Sequence, residues 1–66
     1  MKAIRKERES KGLTQIDLAR LAHIQQSRIS VIESGHVIPY PVELARLASA
    51  LEYDGDPVGL LEEVAS

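Results

Sequence analysis

Apolar residues recur at spacings of three and four along most of the chain, which is the period of an α-helix. The clearest run lies in the C-terminal half, at Leu44, Leu47, Ala48 and Leu51. No segment alternates apolar and polar residues in the manner of a β-strand. The pattern therefore predicts an all-α fold.

Capping residues, glycines and prolines divide the chain into five short helices. They are predicted over Lys2–Lys11, Gln15–Ala22, Gln26–Ser34, Pro41–Leu51 and a last helix that begins at Pro57. Thr14 and Asp17 have the spacing of a capping box before the second helix, and Gly12 and Gly35 suit the ends of the first and third. With 66 residues and no repeat or linker, residues 1–66 are expected to form a single compact domain.

The charge is unevenly distributed along the chain. Eight basic and ten acidic side chains give a net charge of −2. Residues 1–46 hold all eight bases and five acids, a sum of +3, and residues 47–66 hold five acids and no base, a sum of −5. A basic N-terminal part can meet phosphate while an acidic tail faces elsewhere.

Several classes of function are disfavoured by the composition. The chain has no cysteine, and neither His23 nor His36 has an evident nucleophile partner or ligand set, so we expect no enzyme activity, metal site or cofactor. Two tyrosines are the only aromatic residues, too few for a platform that stacks single-stranded bases. No apolar run approaches the ~20 residues of a membrane span, and no leader opens the chain, so we expect a cytoplasmic protein that does not enter the membrane.

The third predicted helix has two different faces. At about 100° per residue, Ile29 and Ile32 point in one direction. The opposite arc is short, without acid, and formed by Ser27, Ser30, Val31 and Ser34. A helix surface of this size can enter the major groove of B-DNA, although serines at such positions are also ordinary solvated residues.

Two segments at a fixed spacing resemble the helix-turn-helix of the lambda-repressor-like (Xre/Cro) family. They are Leu13-Thr14-Gln15 with Leu18-Ala19, and Ile29-Ser30-Val31-Ile32-Glu33-Ser34-Gly35. Pro39 and the apolar residues of the fourth helix fit the same five-helix domain, so the resemblance covers about residues 3–61. It implies a helix-turn-helix core at 14–35, a recognition helix at about 26–34, and a sequence-specific transcriptional regulator, repressor-like and nucleoid-associated when bound to double-stranded DNA.

The resemblance also implies roles for individual residues. The residues that match the family's base-contacting positions are Gln26, Ser27, Ser30 and Val31. The resemblance implies that the phosphate backbone is contacted by Gln15, Arg28, Ser34 and His36, with Lys11 and Tyr40 as further candidates. Because one recognition helix reads only a few base pairs, a homodimer on a palindromic operator is expected. We place its contact in helices four and five, the latter carrying Leu60, Leu61 and Val64.

Two charged residues are expected inside the fold. Arg8 follows Ile4 by four residues and therefore lies on the inward face of the first helix. Glu33 lies beside Ile29 and Ile32 at the edge of the inward face of the third helix. A buried charge needs a partner, and the resemblance implies that Arg8 and Glu33 form an ion pair.

The chain departs from the family pattern at the turns. His23 stands where the family usually has glycine, which predicts a left-handed backbone at a histidine. Gln25 replaces the usual serine or threonine cap of the recognition helix, and Tyr40 replaces a small cap before the fourth helix. The segment 52–56 is about two residues longer than the pattern, so we expect the fifth helix to dock at a different angle.

Two other functions are compatible with the residues. The bundle can serve as a protein-interaction module, antitoxin-like or bridging, and a weaker alternative is a small bundle within a larger enzyme that has lost DNA binding. A mobility-shift experiment with the purified chain and a DNA duplex at moderate salt separates these alternatives from a regulator, because a regulator should bind the duplex.

Overall fold

The computed structural model describes residues 1–65. Its helices are α1 (Ala3–Ser10), α2 (Gln15–Ala22), α3 (Gln26–Glu33), α4 (Pro41–Ala50) and a 3-10 helix over Pro57–Leu61. The prediction of an all-helical fold is confirmed, and the α-helices begin and end within one residue of the predicted limits. Ser66, which belongs to the predicted domain 1–66, lies outside the described residues.

Local hydrogen bonds fix both ends of α2. The Asp17 amide donates to Thr14 Oγ1 at 3.0 Å, and the Thr14 amide donates to Asp17 Oδ2 at 2.9 Å, which completes the capping box. At the other end His23 has the left-handed conformation expected from the sequence, with φ 57° and ψ 44°. The Ile24 amide then donates to the Ala19 carbonyl at 3.0 Å. The connection to α3 is consequently short and closely defined.

One apolar core joins all of these elements. Its largest fully buried side chains are Ile4, Leu18, Ile29, Ile32, Leu47, Leu51 and Leu60. The α2 helix packs against both α3 and α4, and the 3-10 helix packs against α1 and α4. The recognition helix predicted from the sequence therefore rests mainly on α2, with its opposite face free.

The fifth predicted helix is present, and it is a 3-10 helix. Asp56 caps it by accepting a hydrogen bond from the Val58 amide at 3.0 Å. A Cβ at Gly59 would lie 2.7 Å from the Tyr53 hydroxyl, so this ring packs closely against a residue of low helix propensity.

The N-terminus also limits this helix. The chain is extended at Glu62, and the Ala3 amide donates to the Glu62 carbonyl at 2.8 Å. The Val64 amide donates to the Met1 carbonyl at 2.9 Å, and Lys2 and Glu63 form an isolated antiparallel bridge. Pairing with residues 1–3 holds the chain extended and prevents a longer helix, while Leu60 still enters the core.

Candidate nucleic-acid interface

The outer face of α3 is polar and not engaged with the rest of the protein. Gln26, Ser27 and Ser30 are exposed, and their side chains form no hydrogen bond to any part of residues 1–65. Val31 is half-buried, unlike the exposed position expected from the sequence. The face opposite this row is buried through Ile29 and Ile32, so the predicted base readers lie on the free side of the helix.

A buried network links the C-terminal end of α3 to α1 and α2. Arg8 Nε donates to Glu33 Oε2 at 2.7 Å, and Arg8 Nη2 donates to Glu33 Oε1 at 3.2 Å. Gln15 Nε2 donates to Glu33 Oε1 at 3.1 Å, and Arg8 Nη1 donates to the Leu13 carbonyl at 2.7 Å. The side chains of Arg8 and Glu33 are only 11% and 3% exposed, so this pair is well shielded from water.

A cavity of about 310 Å³ opens beside this network. It is lined by Arg5, Arg8, Gln15, Ser30, Glu33 and Ser34. The cavity brings together three predicted DNA contacts, Gln15 from α2, Ser30 from α3 and Ser34 directly after α3. Arg5, which pairs with Glu9 at 3.1 Å, also lines the cavity and is not among the DNA contacts predicted from the sequence. Its position three residues before Arg8 on one helical face is the signal that could have identified it.

The N-terminus of α2 is less free for phosphate than the sequence suggests. Hydrogen bonds from Thr14 lower the pKa of Asp17, so this carboxylate is ionised at the end of the helix. The Gln15 side-chain amide is already held by Glu33, which leaves the backbone amides of Gln15 and Ile16 without an intrahelical partner. A phosphate here would bind beside a carboxylate, which weakens this predicted contact.

The residues that follow α3 form a small exposed group. Gly35 has φ +83°, a left-handed conformation that turns the chain sharply after the helix. Ser34 Oγ lies 2.6 Å from His36 Nδ1 and 3.1 Å from the Val31 carbonyl, to which it donates. Lys11 is exposed in the turn after α1 and forms no ion pair with residues 1–65.

Arg28 is engaged inside the protein, although the sequence predicts a phosphate contact. Its Nε donates to Glu43 Oε2 at 3.0 Å, and its Nη2 donates to Glu43 Oε1 at 2.9 Å. The guanidinium also lies over the Tyr40 ring, 5.5 Å from its centroid. The hydrogen bond from Arg28 lowers the pKa of Glu43, and burial opposes this effect.

Glu43 is a residue that sequence reasoning missed. Its Oε1 additionally accepts a hydrogen bond from the Tyr40 amide at 2.8 Å, the bond that an N3 carboxylate makes to the N-cap amide in a capping box. No helical spacing relates Arg28 and Glu43, because they lie on different helices. Only the tertiary structure brings them together.

Other kinds of site lack support among residues 1–65. No group of three or more His, Cys, Asp or Glu side chains in this range is placed to hold a metal ion. None of the helices in the same range has the length and hydropathy needed to cross a bilayer.

Comparison with known proteins assigns the chain to a family. A family model described as helix-turn-helix matches residues 4–58. A Mycobacterium tuberculosis protein named antitoxin HigA2 is 50% identical over 34 residues, which are 52% of this chain and 34% of that protein. The matched stretch thus spans about a third of the relative's length. No solved structure matches the chain significantly. Because the family model covers most of the chain, the protein belongs to the lambda-repressor-like (Xre) helix-turn-helix family.

Proposed function

We propose that the protein is a sequence-specific regulator that binds double-stranded DNA by inserting α3 into the major groove. The observation that carries this proposal is the outer row of α3, where Gln26, Ser27 and Ser30 are exposed and make no internal hydrogen bond to residues 1–65. Free donors and acceptors on a rigidly supported helix are what base-edge recognition requires. Membership in a helix-turn-helix family supports the same function.

The residue types suit direct readout of bases. A glutamine can form two hydrogen bonds with adenine, so Gln26 is assigned the strongest base preference. The hydroxyl groups of Ser27 and Ser30 can form hydrogen bonds with several different bases. The methyl groups of half-buried Val31 are assigned to contact with a thymine methyl at the groove wall.

Phosphate contacts are assigned to residues around α3. They are the N-terminal amides of α2 at Gln15, with Lys11 in the preceding turn, and Tyr40 before α4. Ser34 and His36, which are hydrogen bonded to each other after α3, complete the set. These contacts set the position of the helix and carry no sequence information.

A dimer supplies the second half-site. The protein measures 26 × 24 × 21 Å, so two copies side by side can place their α3 helices ~34 Å apart, one turn of DNA. We assign the contact to α4 and the 3-10 segment, where Val42 and Val58 are 57% and 58% exposed. Leu60 does not contribute, because it is fully buried in the core.

Selection of bound duplexes from a random pool tests this function. At fixed salt and protein concentration, we expect enrichment of a palindrome whose half-sites are 10–10.5 base pairs apart. Gln26→Ala should broaden the enriched set, and Ser10→Ala, which removes a hydroxyl outside the helix-turn-helix, should not. Equal affinity of the unaltered protein for selected and random duplexes would refute the proposal.

A second function is favoured by the relative named as an antitoxin. A protein of that kind has a toxin as partner, and this chain offers exposed apolar side chains at Leu21, Ile38 and Val42. Co-expression with the product of the neighbouring gene, followed by size-exclusion chromatography, tests for such a partner. A stable complex would support this function, and elution of the two proteins at their separate volumes would argue against it.

A further inference from the structure

We propose that Arg28 and Glu43 form a positioning pair that fixes the first turn of α3 and thereby determines base preference. Arg28 acts through Glu43 in this assignment and does not hold a phosphate. The inference rests on the proposed function, because it concerns how α3 reads DNA.

The first turn of α3 has weak local support. Gln25, which precedes the helix, forms no side-chain hydrogen bond to the free amides of that turn. A Ser, Thr, Asp or Asn at this position would normally supply one. Yet this turn carries Gln26 and Ser27, two of the four assigned base readers. Their placement therefore depends on support from another element.

Arg28 provides that support from within the same turn. Its Nε and Nη2 bind both oxygens of Glu43, at 3.0 and 2.9 Å, in a bidentate arrangement that fixes direction as well as distance. The Tyr40 ring covers one face of the guanidinium, and the Tyr40 amide holds the carboxylate at 2.8 Å. The side chains of Arg28 and Glu43 are 31% and 14% exposed.

The other end of α3 is held in a matching way. Glu33, its last residue, receives two hydrogen bonds from Arg8 of α1. The helix packs mainly against α2, so these two ion pairs are its polar links to the elements on either side. Loss of the Arg28–Glu43 link would allow the first turn to tilt on α2. A displacement of about 0.5 Å is enough to disturb a bidentate contact to a base.

The charge balance separates this assignment from a phosphate contact. Glu43 neutralises Arg28, and Arg46 of the same helix also acts on this carboxylate. Each phosphate neutralised by a protein changes the slope of log K against log salt by about 0.9. A positioning pair leaves that slope unchanged and alters the ratio of affinities for selected and random duplexes.

Two conservative variants test the assignment. Glu43→Gln keeps the shape of the side chain and removes its charge, and Arg28→Lys keeps the charge and removes the planar fork. We expect each variant to lower the ratio of affinities for selected and random duplexes about tenfold, which is part of the discrimination that a bidentate base contact provides. The slope of log K against log salt should change by less than ~0.5. Glu52→Gln and Arg46→Lys make the same chemical changes outside the pair and should leave the ratio unaltered.

Several results would overturn the assignment. Lysine is a good phosphate ligand. If Arg28→Lys kept full sequence specificity, Arg28 would be a phosphate contact and not part of a positioning pair. A uniform gain in affinity for all duplexes in Glu43→Gln would do the same, since it would mean that Glu43 competes with DNA for Arg28. The two variants change different residues. If one of them fails to fold, the other still tests whether the pair positions α3.

Hydrogen exchange in the DNA-free protein separates failure of this inference from failure of the proposed function. The amides of Arg28 and Ile29 donate to the Gln25 carbonyl at 3.0 and 3.1 Å. In Glu43→Gln these amides should exchange faster while the amide of Leu18 in α2 is unaffected. Unchanged exchange would overturn the positioning role even if the protein binds DNA, whereas faster exchange in a protein that prefers no duplex would refute only the proposed function.

Discussion

Arg8 of α1 and Glu33 of α3 form a bidentate ion pair across 25 residues of sequence, with Nε and Oε2 2.7 Å apart. Both side chains are largely buried, and Arg8 also donates to the Leu13 carbonyl while Glu33 also accepts from the Gln15 side chain. This pair joins the first helix to the end of the recognition helix. The stability of the fold and the position of α3 on DNA depend on ion pairs of this kind between helices.

Arg8→Ala should destabilise the protein by ~3–5 kcal/mol, because it leaves the Glu33 carboxylate buried without its cation. For a domain of this size, each kcal/mol lowers Tm by ~4–8 °C. Thermal unfolding followed by circular dichroism measures the effect. Arg5→Ala is the matched control, since Arg5 pairs only with exposed Glu9 on the surface and should change Tm little. An unchanged Tm in Arg8→Ala would show that the pair contributes nothing to stability.

Leu60→Ala should cost ~2–5 kcal/mol, because Leu60 is fully buried where the 3-10 helix meets the core. Val58→Ala lies in the same helix and is 58% exposed, so it should cost far less. Urea denaturation of both variants gives the comparison. Equal costs would mean that the 3-10 helix does not dock through Leu60.

Thr14→Ala should lower stability by ~1 kcal/mol through loss of the cap on α2. Ser10→Ala removes a hydroxyl that donates to the Glu7 carbonyl at the end of α1, and it serves as the control. Chemical denaturation of the two variants measures the difference. A loss no larger than that of the control would indicate that the capping box adds no net stability.

The stability contributed by Glu43 should disappear in acid. Its pKa is lowered in the folded protein by Arg28, so between this value and the unfolded value of about 4.3 the unfolded chain binds more protons. The contribution is complete above the unfolded pKa and is lost as the pH falls through the lower folded pKa. Urea denaturation at a series of pH values from 7 to 3 should therefore show wild type and Glu43→Gln converging below pH ~4. A difference independent of pH would contradict this linkage.

Gln26→Ala and Lys11→Ala should affect DNA binding in different ways. Loss of the Gln26 amide should reduce discrimination by ~1–3 kcal/mol at one base position and leave the salt slope unchanged. Loss of the Lys11 charge should weaken binding to all sequences alike and reduce the slope by about 0.9. Competition titrations with selected and random duplexes at several salt concentrations distinguish the two. Identical behaviour of the variants would contradict the division into base and phosphate contacts.

Much of the helical framework was predictable from local sequence. The Thr14–Asp17 capping box, the glycine after each of the first and third helices, and Pro41 at the start of α4 act within a few residues, so their effects do not depend on the rest of the fold. The left-handed conformation of His23 followed from the resemblance, because this residue stands where the family usually has glycine. Resemblance to the family then indicated which face of α3 should remain free.

Other features depended on contacts between residues distant in sequence. The last helix ends at Leu61, where residues 1–3 pair with residues 62–64, and Gly59 within it packs against Tyr53. The pairing of Arg28 with Glu43 depended on the fold for the same reason, since Glu43 lies on another helix and no periodicity reveals it.

The sequence by itself determined where the helices form and which of their faces are apolar, because capping and helical periodicity are local properties. Only the tertiary structure decided that Arg28 meets Glu43, how the last segment ends, and that Val31 is half-buried. Those outcomes follow from packing and from the requirement that charges withdrawn from water find partners, which act at a distance along the chain. The polar outer row of α3 came from the sequence, and its support from both flanks came from the fold.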